Sequence, residues 1–151
     1  MVTRTRTEVK GLRELGAAMK ALGNDIGLKI ARAATSAAAQ PVKKRAIANI
    51  IASPSVRTGA LKSSVIVKRL GRKESNLTSE HIVTVRGRGK KKKGGTRQTE
   101  APHGHLVEFG TVHMPAEPFL RPAFESEKGN ALQAMQATLR RRIDRANKAS
   151  K

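Results

Sequence analysis

The sequence predicts an α+β fold: an N-terminal helix, a long second helix open to a kink at its proline, a small antiparallel three-stranded sheet and a C-terminal helix. Three observations lead there. Apolar residues near both ends recur at three- and four-residue steps, the period of an amphipathic helix. Two β-branched runs in the middle, 65–70 and 81–85, lie close enough in sequence to pair as a hairpin. A third short run, 105–109, reads as one more strand. Helices flanking a small antiparallel sheet is an α+β arrangement.

In the first segment Val9, Leu12, Leu15, Met19 and Leu22 form one helical stripe, and Gly23-Asn24-Asp25 ends it. The second helical pattern starts from a cap at Asn24 or Asp25 and passes through Ile26, Ile30, Ala34, Ala37, Ile47 and Ile51 to stop at Ser53-Pro54. Its roughly 26 residues at ~1.5 Å each would make a rod ~39 Å long. Pro41 predicts a kink or break inside it, because the ring excludes the carbonyl four residues back. The alanines at 37–39 permit close helix packing. Thr58-Gly59-Ala60-Leu61 reads as a short turn capped by the Thr58 hydroxyl before the first strand, and residues 71–78 are polar and turn-like. After Pro118 the chain turns helical again, with Pro122 suited to a first turn and Phe124, Leu132, Met135, Leu139 and Ile143 on one stripe. Gly129 within it costs about 1 kcal/mol relative to Ala, which loosens the first turns.

At 151 residues the chain has the size of one domain, 1–151, with flexible ends at 1–7 and 146–151 and a mobile basic loop at 86–103. Lys and Arg total 31 against 11 Asp and Glu, a net charge of +20, which favours polyanions or an acidic surface as partners. The stretch 86–97 carries seven of the positive charges, no negative one and four glycines, so it cannot bury anything. Leu, Ile, Val and Phe make up only 32 of the 151 residues, with no Trp or Tyr. That is just above the ~20% at which a highly charged chain stays disordered. A lone monomer is therefore expected to be marginal, and neighbours that bury more surface would stabilise it. There is no cysteine, which excludes a disulfide framework and a thiolate metal site. No run approaches the ~20 apolar residues of a membrane span and no signal peptide is recognisable, so the reading is a soluble protein with no membrane partner.

The most enzyme-like feature is His103-Gly104-His105 with Glu108 and His113 nearby, because two histidines two apart on an extended segment point the same way. No HExxH helix accompanies them and no nucleophile has a supporting triad, so no catalytic residue, metal ligand or cofactor is assigned. Nucleic-acid contact is the stronger alternative. Arg86, Arg88, Lys90, Lys91, Lys92, Lys93 and Arg97 can neutralise phosphates with release of counterions. Three phenylalanines are a poor supply of stacking platforms, so such contact would follow the backbone and not read sequence.

The segment Pro102-His103-Gly104-His105-Leu106-Val107-Glu108-Phe109-Gly110-Thr111, followed by Met114-Pro115-Ala116-Glu117-Pro118-Phe119-Leu120-Arg121-Pro122-Ala123, closely resembles the signature of a phage neck family. Its members are tail-completion or head-to-tail joining proteins, typified by the tenth gene product of a lambda-like coliphage. Thr58-Gly59-Ala60-Leu61-Lys62-Ser63-Ser64 matches that family's turn before its first strand, and the resemblance spans about residues 8–145. The chain departs from it in the basic 86–97 insertion and in lacking a tyrosine ahead of the Val107-Glu108-Phe109-Gly110-Thr111 run.

The resemblance implies a non-enzymatic virion protein, assembled in the bacterial host cytoplasm and placed at the head-to-tail junction. It implies a homo-oligomeric ring that meets a head-side connector or stopper above and a tail terminator or tail tube below, with genomic double-stranded DNA as a further contact. The expected interface is Glu108, Phe109, Gly110, Thr111, Met114, Pro115, Pro118, Phe119, Leu120, Arg121 and Pro122. Phe109 and Val107 would alternate on a strand face, Gly110 would let the chain turn, and the prolines would hold residues 114–122 extended and pre-ordered for docking. A plainer role for Phe119, Leu120 and Phe124 is to cover the sheet. Against the neck subunit stand a free-standing basic DNA- or RNA-associated protein and, further off, a metal-dependent enzyme.

Overall fold

The computed structural model describes residues 11–21, 23–53, 59–71, 79–87, 101 and 103–149. The element order is α1 (Leu12–Ala21), α2 (Asn24–Ala52), α3 (Ala60–Ser64), β1 (Val65–Arg69), β2 (His81–Val85), α4 (Gly104–Phe109) and α5 (Leu120–Ala149). The molecule is thus a mixture of helices and a small sheet, as the periodicities require.

Two long helices form the frame. α2 packs antiparallel to α5, since Ile50 and Val42 share a cluster with Phe119 and Ala123 while Ile30 and Ala34 share another with Leu139. Alanine makes the close approach: Ala34, Ala46 and Ala123 are fully buried at 0% exposure, and a methyl at the crossing lets the backbones come together. Met19 brings α1 onto the second cluster. Gly23, at φ 82°, reverses the chain between α1 and α2 and serves as the N-cap of α2, so Asn24 is the first helical residue and not the cap. α2 continues without a break through Pro41, contrary to the break that the proline suggested. The Thr58 hydroxyl cap falls outside the described residues; the residue preceding α3 is Gly59, in the left-handed region at φ 63°.

β1 and β2 pair antiparallel with Val65 opposite Val85 and Val67 opposite Val83. Val65 is buried, and Val83 and Val85 pack with it against α2 and α5. The hairpin is also tied to α2 through polar groups: the Thr35 hydroxyl lies 2.9 Å from His81 Nδ1 and 3.2 Å from Ser79 Oγ.

The sheet has two strands among the described residues, not three. The run His105-Leu106-Val107-Glu108-Phe109, expected as a strand, lies in the helix α4. A five-residue run with three apolar side chains fits about one and a half helical turns as well as a strand, and tertiary contacts decide between them. α5 extends to Ala149, so the described residues from 146 onward, expected as a flexible end, are helical. No helix among the described residues is long and apolar enough to cross a membrane.

Candidate functional site

The segment from α4 to the start of α5 forms a short strap whose shape follows from a few backbone contacts. Gly110 ends α4 at φ 74°, with its N–H donating to the Leu106 carbonyl at 2.8 Å. A Cβ there would sit 2.8 Å from the Ala116 nitrogen and 3.0 Å from the Met114 carbonyl oxygen, so only glycine fits both the dihedral and the space. Thr111 and Met114 then close a tight turn, Thr111 N–H to Met114 carbonyl at 2.8 Å and the reverse at 3.3 Å. The Glu117 N–H donates back to the Val107 carbonyl at 2.8 Å, which folds the strap onto α4.

Glu108 locks this arrangement. It is 8% exposed, and its carboxylate accepts three consecutive backbone N–H groups at the start of α5: Phe119 and Leu120 at 2.8 Å each through Oε2, and Arg121 at 3.0 Å through Oε1. A helix N-terminus leaves its first N–H groups without intrahelical partners and carries partial positive charge, so an anion is stabilising there on both counts. The Asn49 amide donates to the Phe119 carbonyl at 3.1 Å, and the Ser53 hydroxyl donates to the Glu117 carboxylate. The strap is therefore pinned to α4, α5 and the end of α2.

What the strap presents outward is apolar. Phe109 is 70% exposed and Val112, at the tip of the turn, 98%. Met114, Pro115, Pro118, Arg121 and Pro122 are exposed as well, while Phe119 is buried at 3% and Leu120 is half-buried. The expected interface thus divides. Glu108 and Phe119 face inward and hold the strap, whereas Phe109, Thr111 and the Met114–Pro118 side form a surface. Val112, absent from the expected set, is the most exposed large apolar side chain of the strap. A glycine turn followed by a valine flanked by polar residues is the signal that could have found it.

Phe109 borders a groove of about 430 Å³ that also touches Val85, His105 and Arg121. A second, apolar groove of about 770 Å³ lies between α2, the hairpin and α5, with the exposed Leu70, Ile82 and Phe124 along it. Phe124 lines this groove together with Ile82 and Val83 and remains exposed, unlike the buried Phe119.

The histidines are not brought together. His103 precedes α4, His105 lies in it and His113 lies in the strap turn, all exposed. On a helix, positions two apart diverge by roughly 200°, so the shared direction expected of an extended segment is lost. Among the described residues no group of three or more His, Asp or Glu side chains could hold a metal. Of the basic insertion, Arg86 is described and exposed, and Arg88, Lys90, Lys91, Lys92, Lys93 and Arg97 fall outside the described residues. The Ala101 N–H donates to the Arg86 carbonyl at 3.1 Å, so the chain returns after the insertion to the point it left.

A helical frame with a hairpin and a pinned strap is the context in which the family comparison applies, and that comparison gives the class: a bacteriophage tail component. The chain belongs to the HK97-gp10-like family, described as "Bacteriophage HK97-gp10, putative tail-component", whose model matches residues 13–110. The match takes in α1 to α4 and ends at Gly110, where the strap begins. Neither the comparison with curated proteins nor that with solved structures gives a match.

Proposed function

We propose that this chain is a non-enzymatic structural subunit of a tailed-phage particle that forms a homo-oligomeric ring at the head-to-tail junction. The observation that carries the reading is the strap: an apolar surface of Phe109, Val112 and Met114 held rigid by the Glu108 cap. Such a surface loses little entropy on docking, and three exposed large apolar side chains within six residues of one strap are more than singly scattered ones. A cyclic ring needs two unlike patches that meet head to tail. The strap and the apolar groove beside Ile82 and Phe124 are two such patches on one chain. The thin core favours assembly for a second reason, since contacts between copies would add buried apolar area. In this reading the ring meets a head-side connector or stopper and a tail terminator or tail tube, and the residues from Arg86 to Arg97 meet genomic DNA or an acidic neighbour. The virion is its location.

The test is a reconstruction of the particle at side-chain resolution, together with light scattering of the purified chain with and without the head-side protein. Density for several copies around the axis is the expected result. A single copy, or a position away from the junction, would overturn the reading. The alternative, a free-standing basic nucleic-acid-associated protein, rests on the net charge of +20 and predicts tight DNA binding by a chain absent from purified particles.

A further inference from the structure

We infer that the outer face of the last three turns of α5 is a binding site for the phosphate backbone of double-stranded DNA, separate from the 86–97 insertion. The cations are Arg140, Arg141, Arg142, Arg145 and Lys148, all exposed, with Asp144 the only carboxylate among them. The opposite side of the same turns carries Leu139, Ile143 and Ala146, which pack with Ile30 and Met19, so the helix is fixed on the body of the protein. Three successive arginines at 100° per residue cover a broad arc of the exposed side. Arg141, Arg145 and Lys148 then follow one another along it at rises of roughly 6 and 4.5 Å.

Among the described residues these charges are largely uncompensated, Asp144 being the one carboxylate set between them. None of the five makes an ion pair or side-chain hydrogen bond among the described residues. Around this end of the molecule Arg13, Lys20 and Lys29 add three more exposed cations, against the exposed carboxylates of Glu14 and Asp25. Like charges four apart on a helix repel, and a bound polyanion relieves that repulsion. The helix macrodipole accounts for cations only in the last turn, so it explains Lys148 but not Arg145, nor Arg140 to Arg142, which lie roughly two turns or more from the helix end.

The make-up of the surface favours nucleic acid over an acidic protein. Protein–protein contacts are built on a buried apolar or aromatic centre from which charge is depleted. From residue 140 to the end of α5 the exposed residues are the five cations, Asp144, Asn147 and Ala149, with no large apolar side chain among them. Protein–DNA contacts are polar and strongly positive. Four of the five cations are arginines, whose planar fork matches phosphate oxygens. The inference does not depend on ring formation.

The experiment uses the full chain and a short mixed-sequence DNA duplex, with affinity measured between 50 and 200 mM salt. In the variant carrying R140Q, R141Q, R142Q and R145Q, the slope of log affinity against log salt should become shallower by about 2 to 4, near 0.9 for each phosphate that is no longer neutralised. The variant with lysine at the same four positions should keep most of the slope. Thermal unfolding checks that both remain folded, and the pair R141Q and R145Q alone, which should lose about half as much slope, serves if the quadruple variant does not fold. A slope unchanged in the glutamine variants would overturn the inference. So would DNA affinity carried wholly by Lys90 to Lys93, or binding of polyglutamate in preference to DNA.

Discussion

The Glu108 carboxylate accepts the Phe119 N–H at 2.8 Å and thereby fastens α4 to the beginning of α5. The same carboxylate serves Leu120 and Arg121, so one side chain satisfies three donors that a helix start would otherwise leave open. Two consequences differ between substitutions. Glu108→Ala removes all three acceptors in a buried setting and should cost about 2–4 kcal/mol, the sum of a lost cap and unsatisfied donors. Glu108→Gln keeps one carbonyl oxygen and should cost roughly half as much. Urea unfolding of the three proteins measures this order, and equal stabilities would mean that water replaces the cap.

Gly110 and Gly104 are glycines for different reasons, and both predict destabilisation by alanine. At Gly110 the dihedral is left-handed and a Cβ would meet the backbone of Ala116 at 2.8 Å. At Gly104, which is buried in α4, a Cβ would lie 2.8 Å from Val85 Cγ1 and 3.1 Å from Leu61. Gly110→Ala must strain main chain and should cost more, about 2–3 kcal/mol, while Gly104→Ala pushes side chains apart and should cost about 1–2 kcal/mol. Thermal melting of the two variants gives the comparison.

Pro41 separates what a sequence states from what a fold imposes. The ring removes the N–H that would bond the Ala37 carbonyl, a cost of about 3 kcal/mol in a helix interior. α2 nevertheless runs through it, because Val42, Ala46 and Ile50 on the next two turns are buried against β1 and α5. Burial of side chains of that size contributes about 1.5–3 kcal/mol for each large one, enough to offset the proline. Pro41→Ala should therefore raise the melting temperature, and differential scanning calorimetry would detect it. A fall would mean that the ring's own packing outweighs the missing bond.

The long helices and the hairpin were legible because their periods persist: Ile30, Ala34 and Ile47 mark α2, and Val65, Val67, Val83 and Val85 mark the paired strands. The 105–109 run was not, since His-Leu-Val-Glu-Phe places Val107 and Phe109 two apart as a strand would and is too short for a helical period to emerge. Its state is fixed by partners distant in sequence, the α5 N-terminus for Glu108 and Val85 for Gly104. The same remoteness explains the site. The motif marked the stretch that forms the strap, but nothing in the order of residues tells that Glu108 is buried and that Phe109, its neighbour, is exposed.

That opposition permits a test that separates folding from assembly. Phe119 is buried at 3% within the cluster of Ile50 and Ala123, so Phe119→Ala should cost about 3–5 kcal/mol and leave little native protein in a chain with so small a core. Phe109 and Val112, at 70% and 98% exposure, touch little within the subunit, and replacing both with Ser should change its stability by less than about 0.5 kcal/mol. If the strap is the contact through which copies or neighbours dock, the double variant should remain folded and yet fail to associate. Circular dichroism, sedimentation velocity and head-to-tail joining in an extract of infected cells give the three readings. A variant that folds, associates and joins as the parent does would show that the strap is solvent-facing in the particle, and the docking surface would then have to be sought along the groove between Ile82 and Phe124.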